Sequence, residues 1–211
     1  MRRLQIEHET IYEYAETVTL LLHTLLQYPE TERIDLGPYL LPVFTADQPL
    51  LGIWLRPFWQ TGQEVETYVL LDTINKAIAR DFAYEQRQPP GIQTPATTLA
   101  KCSGSCRDSA TLFIEACRNL GLAARFVSGY LCPAPGARGQ GATHAWSEVY
   151  LPGAGWKGFD STSGQVVGND HIAVAVSRHP EWVPPVSGSF RAATPQSPRM
   201  HVAVRVVAIQ A

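Results

Sequence analysis

The segment from Cys106 to Gly121 is the part of the sequence that most constrains the fold. Apolar residues recur along it at helical spacing, on one face: Ala110, Phe113, Ala116, Cys117 and Leu120. Gly121 can adopt the positive φ that ends a helix, so we predict a helix over about 105–120. Ser103 or Ser105 can cap it, and Gly104 allows a sharp turn ahead of the cysteine. The segment therefore predicts a buried helix with a thiol in its first turn.

Three strands are expected after this helix. Residues 123–131 form an apolar, β-branched run typical of a buried strand. Residues 143–151 and 156–160 flank a Pro-Gly-Ala-Gly segment, which indicates a hairpin.

The length of the hairpin loop decides where Asp160 points. A tight two-residue turn would pair Asp160 with Ser147, on the face away from His144. A five-residue loop over 151–155 would instead place Asp160 opposite Trp146 and diagonal to His144, within side-chain reach. We predict the longer loop.

Cys106, His144 and Asp160 are then the candidate catalytic residues. A helix N-terminus stabilises a thiolate through its unpaired N–H groups and its dipole, and a histidine held by a carboxylate can serve as the base. The alternative is that Cys106 is an inert buried thiol. Asp108 is expected to satisfy helix N–H groups or to bind Arg107 or Arg125.

The other cysteines and histidines have more ordinary interpretations. Cys117 falls on the apolar helix face, Cys102 lies in the approach loop, and Cys132 ends a strand. Their spacing is not that of a zinc site, so no metal is expected. Among the remaining histidines, only His171, which follows Asp170, lies close enough in sequence to the hairpin to be kept in view.

The rest of the chain suggests three regions in one compact unit. Residues 1–60 are predicted to be a β and irregular region packed on the core, with alternating apolar residues over 4–14 and prolines over 15–60. Residues 61–190 are predicted to form the catalytic core. Within it, Thr61 to Glu64 indicates a capping box before a helix, whose apolar face consists of Tyr68, Leu71, Ile74, Ile78 and Phe82. Residues 191–211 contribute a C-terminal strand.

Composition narrows the functional classes. The chain has 211 residues, 45% of them hydrophobic, 17% charged and a formal net charge of −2. This is enough to bury a core and gives no indication of a nucleic-acid partner. No apolar run reaches the length of a membrane span and the first residues lack a signal-peptide core, so we expect no membrane partner and a cytoplasmic location. The oligomeric state is left open.

Four ordered motifs resemble those of the bacterial transglutaminase-like family, over about residues 65 to 190. They are Gly104 to Ala110, Gly121 to Tyr130, Thr143 to Trp146 and Gly155 to Asp160. The resemblance implies a papain-like α+β core, with the nucleophile on a central helix packed against an antiparallel sheet, and a Cys-His-Asp triad at Cys106, His144 and Asp160. The chain departs from the family in having Ser161 where proline usually follows the aspartate, and in a shortened N-terminal β region.

The expected function is acyl transfer on a peptide or protein amide through a thioester on Cys106. Hydrolysis is slightly favoured over transamidation, and no cofactor or calcium is expected. Tyr84, Trp54 and Trp59 are candidates for a second donor to the oxyanion. A non-catalytic protein- or peptide-binding module is the main alternative. An arylamine acetyltransferase-like enzyme fits the Gly-Ser-Cys-Arg-Asp context poorly.

Overall fold

A computed structural model describes residues 27–87, 91–132 and 142–185, together with Arg191 and Val204. The helices are α1 (Glu30–Leu40), α2 (Gln48–Leu55), α3 (Thr67–Asp81), α4 (Pro95–Lys101) and α5 (Cys106–Asn119), with 3-10 turns at Thr45–Asp47 and Pro180–Trp182. The strands are β1 (Ala83–Tyr84), β2 (Ser103–Gly104), β3 (Ala124–Leu131), β4 (Ala142–Leu151), β5 (Gly155–Asp160), β6 (Gln165–Val166) and β7 (His171–Ser177).

Five strands form an antiparallel sheet in the order β6-β5-β4-β3-β7, and α5 packs against it. Every residue of α5 from Asp108 to Arg118 is buried, because α2, α3 and α4 cover the sides that the sheet leaves free. Phe113 of the helix packs on Phe159 of β5 with ring centroids 5.4 Å apart. The predicted α+β fold, with a central helix on an antiparallel sheet, is confirmed.

The ends of α5 follow from local chemistry. At the N-terminus, the Asp108 carboxylate accepts from the backbone N–H and the hydroxyl of Ser105, both at 2.8 Å. At the C-terminus, Gly121 has φ +79° and donates to the carbonyl of Arg118, while Leu122 donates to Cys117. This pair of hydrogen bonds is the Schellman motif, which a glycine at this position predicts.

The β4–β5 hairpin has the register predicted from the longer loop. Tyr150 pairs with Trp156 and Ser147 with Phe159, so Asp160 follows on the side of Trp146. Leu151 and Gly155 also pair, which leaves three residues in the turn rather than five. Asp160 therefore lies on the face of the sheet that carries His144.

The prediction of a β and irregular region before residue 60 is wrong for its described part, which is helical. The prolines do not prevent this. Pro49 lies in the first turn of α2, where the missing N–H costs nothing, and Pro38 lies near the end of α1. Glu115 of α5 accepts hydrogen bonds from the backbone N–H groups of Val43 and Phe44, which attaches this region to the core.

The predicted capping box at Thr61 to Glu64 is also wrong. Gly62 has φ +87° in a turn, and α3 begins at Thr67. Its cap is Glu66, whose carboxylate accepts from the N–H groups of Tyr68 and Val69 at 3.0 and 2.7 Å. The predicted apolar face survives in Leu71, Ile74 and Ile78, which are fully buried, whereas Tyr68 is 39% exposed and Phe82 lies just past the helix.

The alternating segment over residues 4–14 and the C-terminal strand predicted within residues 191–211 lie outside the described residues, apart from Arg191 and Val204. Within the described ranges, no helix has both the length and the apolar character needed to cross a membrane.

Candidate active site

Cys106 is the first residue of α5 and is half-buried against the core. The chain reaches it through β2, which pairs in parallel with β1, so that Tyr84 lies opposite Gly104. A Cβ on Gly104 would lie 2.8 Å from the Asp108 Cβ and 2.9 Å from the Gln93 Nε2. Only glycine fits there, and its tight packing fixes the backbone just before the thiol.

Asp108 connects the start of α5 to the residues around it through hydrogen bonds. Its carboxylate, fully buried, accepts from the Arg87 side chain at 3.0 Å and from the backbone N–H of Gln93 at 2.6 Å, besides its two bonds from Ser105. The prediction that it satisfies N–H groups is confirmed.

The cationic partner of Asp108 is Arg87 rather than the predicted arginines. Arg107 donates to the carbonyls of Pro180 and Val183, and Arg125 pairs with Glu148. Asp108 thus fixes the backbone around Cys106 and is not placed as a base.

His144 and Asp160 are in direct contact. The His144 Nε2 lies 3.0 Å from the Asp160 Oδ2, and both side chains are nearly buried. The contact follows from the hairpin register, which sets the end of β5 beside the start of β4. Trp146, 1% exposed, covers the histidine with ring centroids 6.3 Å apart, as expected for a shield against water.

The pKa of His144 is governed by competing effects. Burial alone would lower it, but the hydrogen bonds to Asp160 and Cys106, together with the negative charges of both groups, raise the pKa from 6.5 to about 9. Because Nε2 faces Asp160, the nitrogen available to the thiol is Nδ1. The imidazole therefore lies between a carboxylate and a sulfur.

Asp160 is held in its ionised form. Burial would raise its pKa, but hydrogen bonds from His144, Ser163 and the backbone N–H of Thr162 outweigh burial and lower the pKa well below its usual range. Ser161, which replaces the usual proline, donates to Asn75 of α3 at 2.9 Å. The substitution therefore anchors the turn after Asp160 to the helix.

A second histidine reaches Asp160. The His171 Nε2 lies 3.4 Å from the Asp160 Oδ2, and its Nδ1 lies 2.7 Å from the Asp170 Oδ1. The sequence draws attention to His171 only through its place after Asp170. No local spacing indicates that it would reach the carboxylate, because the contact depends on how β7 pairs with β3.

The three candidate oxyanion donors differ in position. Partial burial and the charge of Cys106 raise the pKa of Tyr84, so this side chain is near enough to the thiol to interact with it electrostatically. The indole N–H of Trp59 already donates to the carbonyl of Gln63 at 2.8 Å. Trp54 packs between Phe58 and Phe82. Tyr84, which pairs with Gly104 two residues before Cys106, is therefore the best placed of the three candidates.

His144, Asp160 and His171 are also residue types that bind metals, and their ligand atoms all lie within 4.8 Å of one another. The Asp160 Oδ2, however, already contacts His144, His171 and the Ser163 hydroxyl. A cation would have to replace these hydrogen bonds. The geometry is better explained as a hydrogen-bonded network than as a metal site.

An α+β core that places a helix-terminal cysteine beside a histidine–aspartate pair on adjacent strands defines the class of papain-like domains. The family model of the transglutaminase-like superfamily matches residues 60–161. Over these residues, just under half of the chain, the protein is similar to the transglutaminase-like superfamily, and this similarity supports cysteine-based catalysis in general.

Part of the sequence is also similar to mycobacterial proteins. An uncharacterized protein of Mycobacterium tuberculosis is 37% identical over 129 residues, covering 57% of this chain and 41% of the relative. An uncharacterized protein of Mycobacterium leprae is 34% identical over 96 residues, covering 44% and 34%. The chain thus spans about two fifths or less of the length of these relatives.

Among solved structures, a proposed cysteine protease from Cytophaga hutchinsonii has a similar fold. It superposes with a TM-score of 0.56 and 27% identity, covering 68% of this chain and 47% of that one. The similarity extends beyond the residues that the family model matches, since it covers more than two thirds of the chain.

Proposed function

We propose that this domain catalyses acyl transfer on a peptide or protein amide, with Cys106 as nucleophile, His144 as acid and base, and Asp160 as the group that orients the imidazole. The observation that carries the proposal is the position of His144, between the Asp160 carboxylate at 3.0 Å and the charge of Cys106. Nucleophile, base and orienting group are the three parts that covalent catalysis needs.

The reaction begins with transfer of the thiol proton to the Nδ1 of His144. The Cys106 sulfur attacks the amide carbonyl carbon, and the oxyanion is bound by the backbone N–H of Cys106, which has no partner within the helix, with the Tyr84 hydroxyl as a second donor. His144 returns the proton to the leaving amine as the carbon–nitrogen bond breaks, which leaves a thioester on Cys106. Asp160 keeps the imidazole in the orientation and tautomer that both transfers need.

The thioester can be resolved by water or by an amine. His144 would remove a proton from either one as it attacks, and the thiolate leaves. We propose hydrolysis as the main outcome, so that the domain acts as a peptidase or amidase. Similarity to a proposed cysteine protease at 27% identity supports this choice. The four cysteines are unpaired, in keeping with the predicted cytoplasmic location, which stays a prediction.

The test is detection of an acyl adduct on Cys106 by intact mass after incubation with a peptide library, with and without a primary amine. We expect an acyl adduct that forms and then disappears in the wild type, and no adduct in Cys106→Ala. The matched control is Cys102→Ala, because Cys102 is an exposed cysteine four residues away. Released free acid supports hydrolysis, and an amine-bearing product supports transamidation.

A non-catalytic module would give a different result. At mildly acidic pH its Cys106 would react with iodoacetamide as slowly as an ordinary thiol. The labelling rate would be the same in His144→Ala. An enzyme with an ionised thiol would instead be labelled quickly, and His144→Ala would abolish this advantage.

A further inference from the structure

His171 opens β7, which is not a neighbour of β5, and yet its ring reaches the residue that ends β5. Strands β3 and β4 lie between them in the sheet, and His171 pairs with Leu131 of β3. Its Nε2 nevertheless lies 3.4 Å from the Asp160 Oδ2, and its side chain is only 2% exposed. A buried histidine in contact with a buried carboxylate is not accounted for by the three-residue mechanism.

The approach is built into the backbone of β3. The register between β3 and β7 shifts at Ser128 and Gly129, and a Cβ on Gly129 would lie 2.1 Å from the carbonyl oxygen of Ile172. The missing side chain lets the start of β7 lie close to β3. Trp146 then packs edge-on against the His171 ring, with centroids 5.2 Å apart at 85°. The ring is thus fixed by packing as well as by hydrogen bonds.

Both nitrogens of His171 face carboxylates. Nδ1 lies 2.7 Å from the Asp170 Oδ1, and Nε2 faces Asp160, which is held ionised. Both ring nitrogens thus lie within hydrogen-bond distance of a carboxylate oxygen, which holds the ring from both sides.

We propose that His171 is a positioning residue, which holds Asp160 so that Asp160 can hold His144. The Asp160 Oδ2 contacts His144, Ser163 and His171, and its Oδ1 accepts from Thr162, so the carboxylate has no freedom to rotate away from His144. The order of contacts runs from Asp170 through His171 and Asp160 to His144 and then to Cys106. The inference rests on the proposed function, but it concerns the state of the imidazole before any substrate is bound.

The test measures alkylation of Cys106 by iodoacetamide in the full chain, with Cys102→Ser to remove the exposed thiol. Rates are compared at about pH 6, where reactivity requires the thiolate–imidazolium pair, and at about pH 10, where any accessible thiol ionises. We expect His171→Phe to lower the rate at the lower pH about 3- to 30-fold, the range typical of residues that act through a neighbour, with less than a twofold change at the higher pH. His171→Gln, which keeps one donor, should recover part of the loss.

His179→Phe is the matched control, because His179 stacks on Trp182 outside the network. It should leave the ratio of the two rates unchanged. An unchanged ratio in His171→Phe, or an equal loss at both pH values, would overturn the proposal, since a purely structural defect alters both rates. Loss of wild-type reactivity with EDTA and recovery with Zn²⁺ would also overturn it, by making the three residues a metal site.

Alkylation needs no substrate, so this test gives an answer even if no peptide forms an acyl adduct. A missing adduct with an intact His171 effect would reject the proposed amide substrates and keep the positioning role. An adduct on Cys106 without an effect of His171→Phe would support the proposed amide substrates and reject the positioning role.

Discussion

The His144 Nε2 and the Asp160 Oδ2 lie 3.0 Å apart because the β4–β5 hairpin turns over three residues and pairs Leu151 with Gly155. A turn that shifted the register by one residue would move Asp160 to the other face of the sheet. The register of one hairpin therefore decides whether the imidazole beside Cys106 has an orienting carboxylate.

Asp160→Asn should lower the turnover of an amide substrate by about 10²- to 10⁴-fold. The amide keeps the size of the carboxylate but loses its charge, so the imidazolium is no longer stabilised and the other tautomer becomes favourable. The measurement is kcat/KM with a peptide that acylates Cys106. Asp72→Asn, in an exposed pair with Lys76, is the control and should retain activity. A loss of less than about tenfold in Asp160→Asn would contradict the orienting role.

The stability contributed by His144 should disappear at alkaline pH. Its pKa is raised from 6.5 to about 9 on folding, so its contribution is fully present below pH 6.5 and is lost as pH rises through about 9. The upper limit of this contribution is on the order of 3 kcal/mol. Denaturant unfolding of the wild type and His144→Gln should show a stability difference that narrows across this window. A constant difference from pH 6 to about pH 10 would contradict the raised pKa.

Turnover should decline over the same alkaline range. The proposed mechanism needs a proton on His144 for the leaving amine, and this proton is lost as pH passes about 9. The measurement is the pH dependence of kcat/KM. A plateau that extends well above pH 9 would show that another group protonates the amine.

Helix α5 and the hairpin could be predicted because their signals are local. Gly121 supplies a helix stop, and the loop length sets the strand register. These two elements alone bring Cys106, His144 and Asp160 to one place. The triad could therefore be proposed from the sequence without knowledge of the whole sheet.

The helices before residue 60 and the contact of His171 could not be predicted, because both depend on distant residues. The helical region is held by Glu115 and Arg118, more than 60 positions away in the sequence. His171 meets Asp160 only because β7 pairs with β3 beside a register shift at Gly129. Neither relationship leaves a pattern in a window of ten or fifteen residues.

Gly129→Ala should destabilise the protein by about 1–3 kcal/mol or more, since the new methyl group would overlap the Ile172 carbonyl and lie 2.7 Å from the Trp146 ring. The site should lose order with it, because Trp146 packs on both histidines. Gly37→Ala is the control. Gly37 lies within α1 with no atom near the position of an added Cβ. Alanine there should therefore raise the free energy of unfolding by about 0.5–1 kcal/mol. Equal free energies of unfolding for the two variants would show that β3 and β7 are not in this close contact.

Glu115→Ala should lower the free energy of unfolding by about 3–5 kcal/mol, because Glu115 and Arg118 form a fully buried ion pair at 2.6 Å. Removing the carboxylate leaves the Arg118 guanidinium buried without its anion. Burial lowers the pKa of Arg118, and the charge of Glu115 would no longer oppose this effect. It also leaves the N–H groups of Val43 and Phe44 without their acceptor. The measurement is denaturant unfolding, with Asp72→Ala as the control that removes an exposed pair and should change stability by less than about 0.5 kcal/mol. Because Glu115 lies about two and a half helical turns from Cys106, the folded fraction of Glu115→Ala should keep normal alkylation of the thiol. A loss of alkylation in protein that remains folded would mean that the attachment of the N-terminal helices also shapes the site.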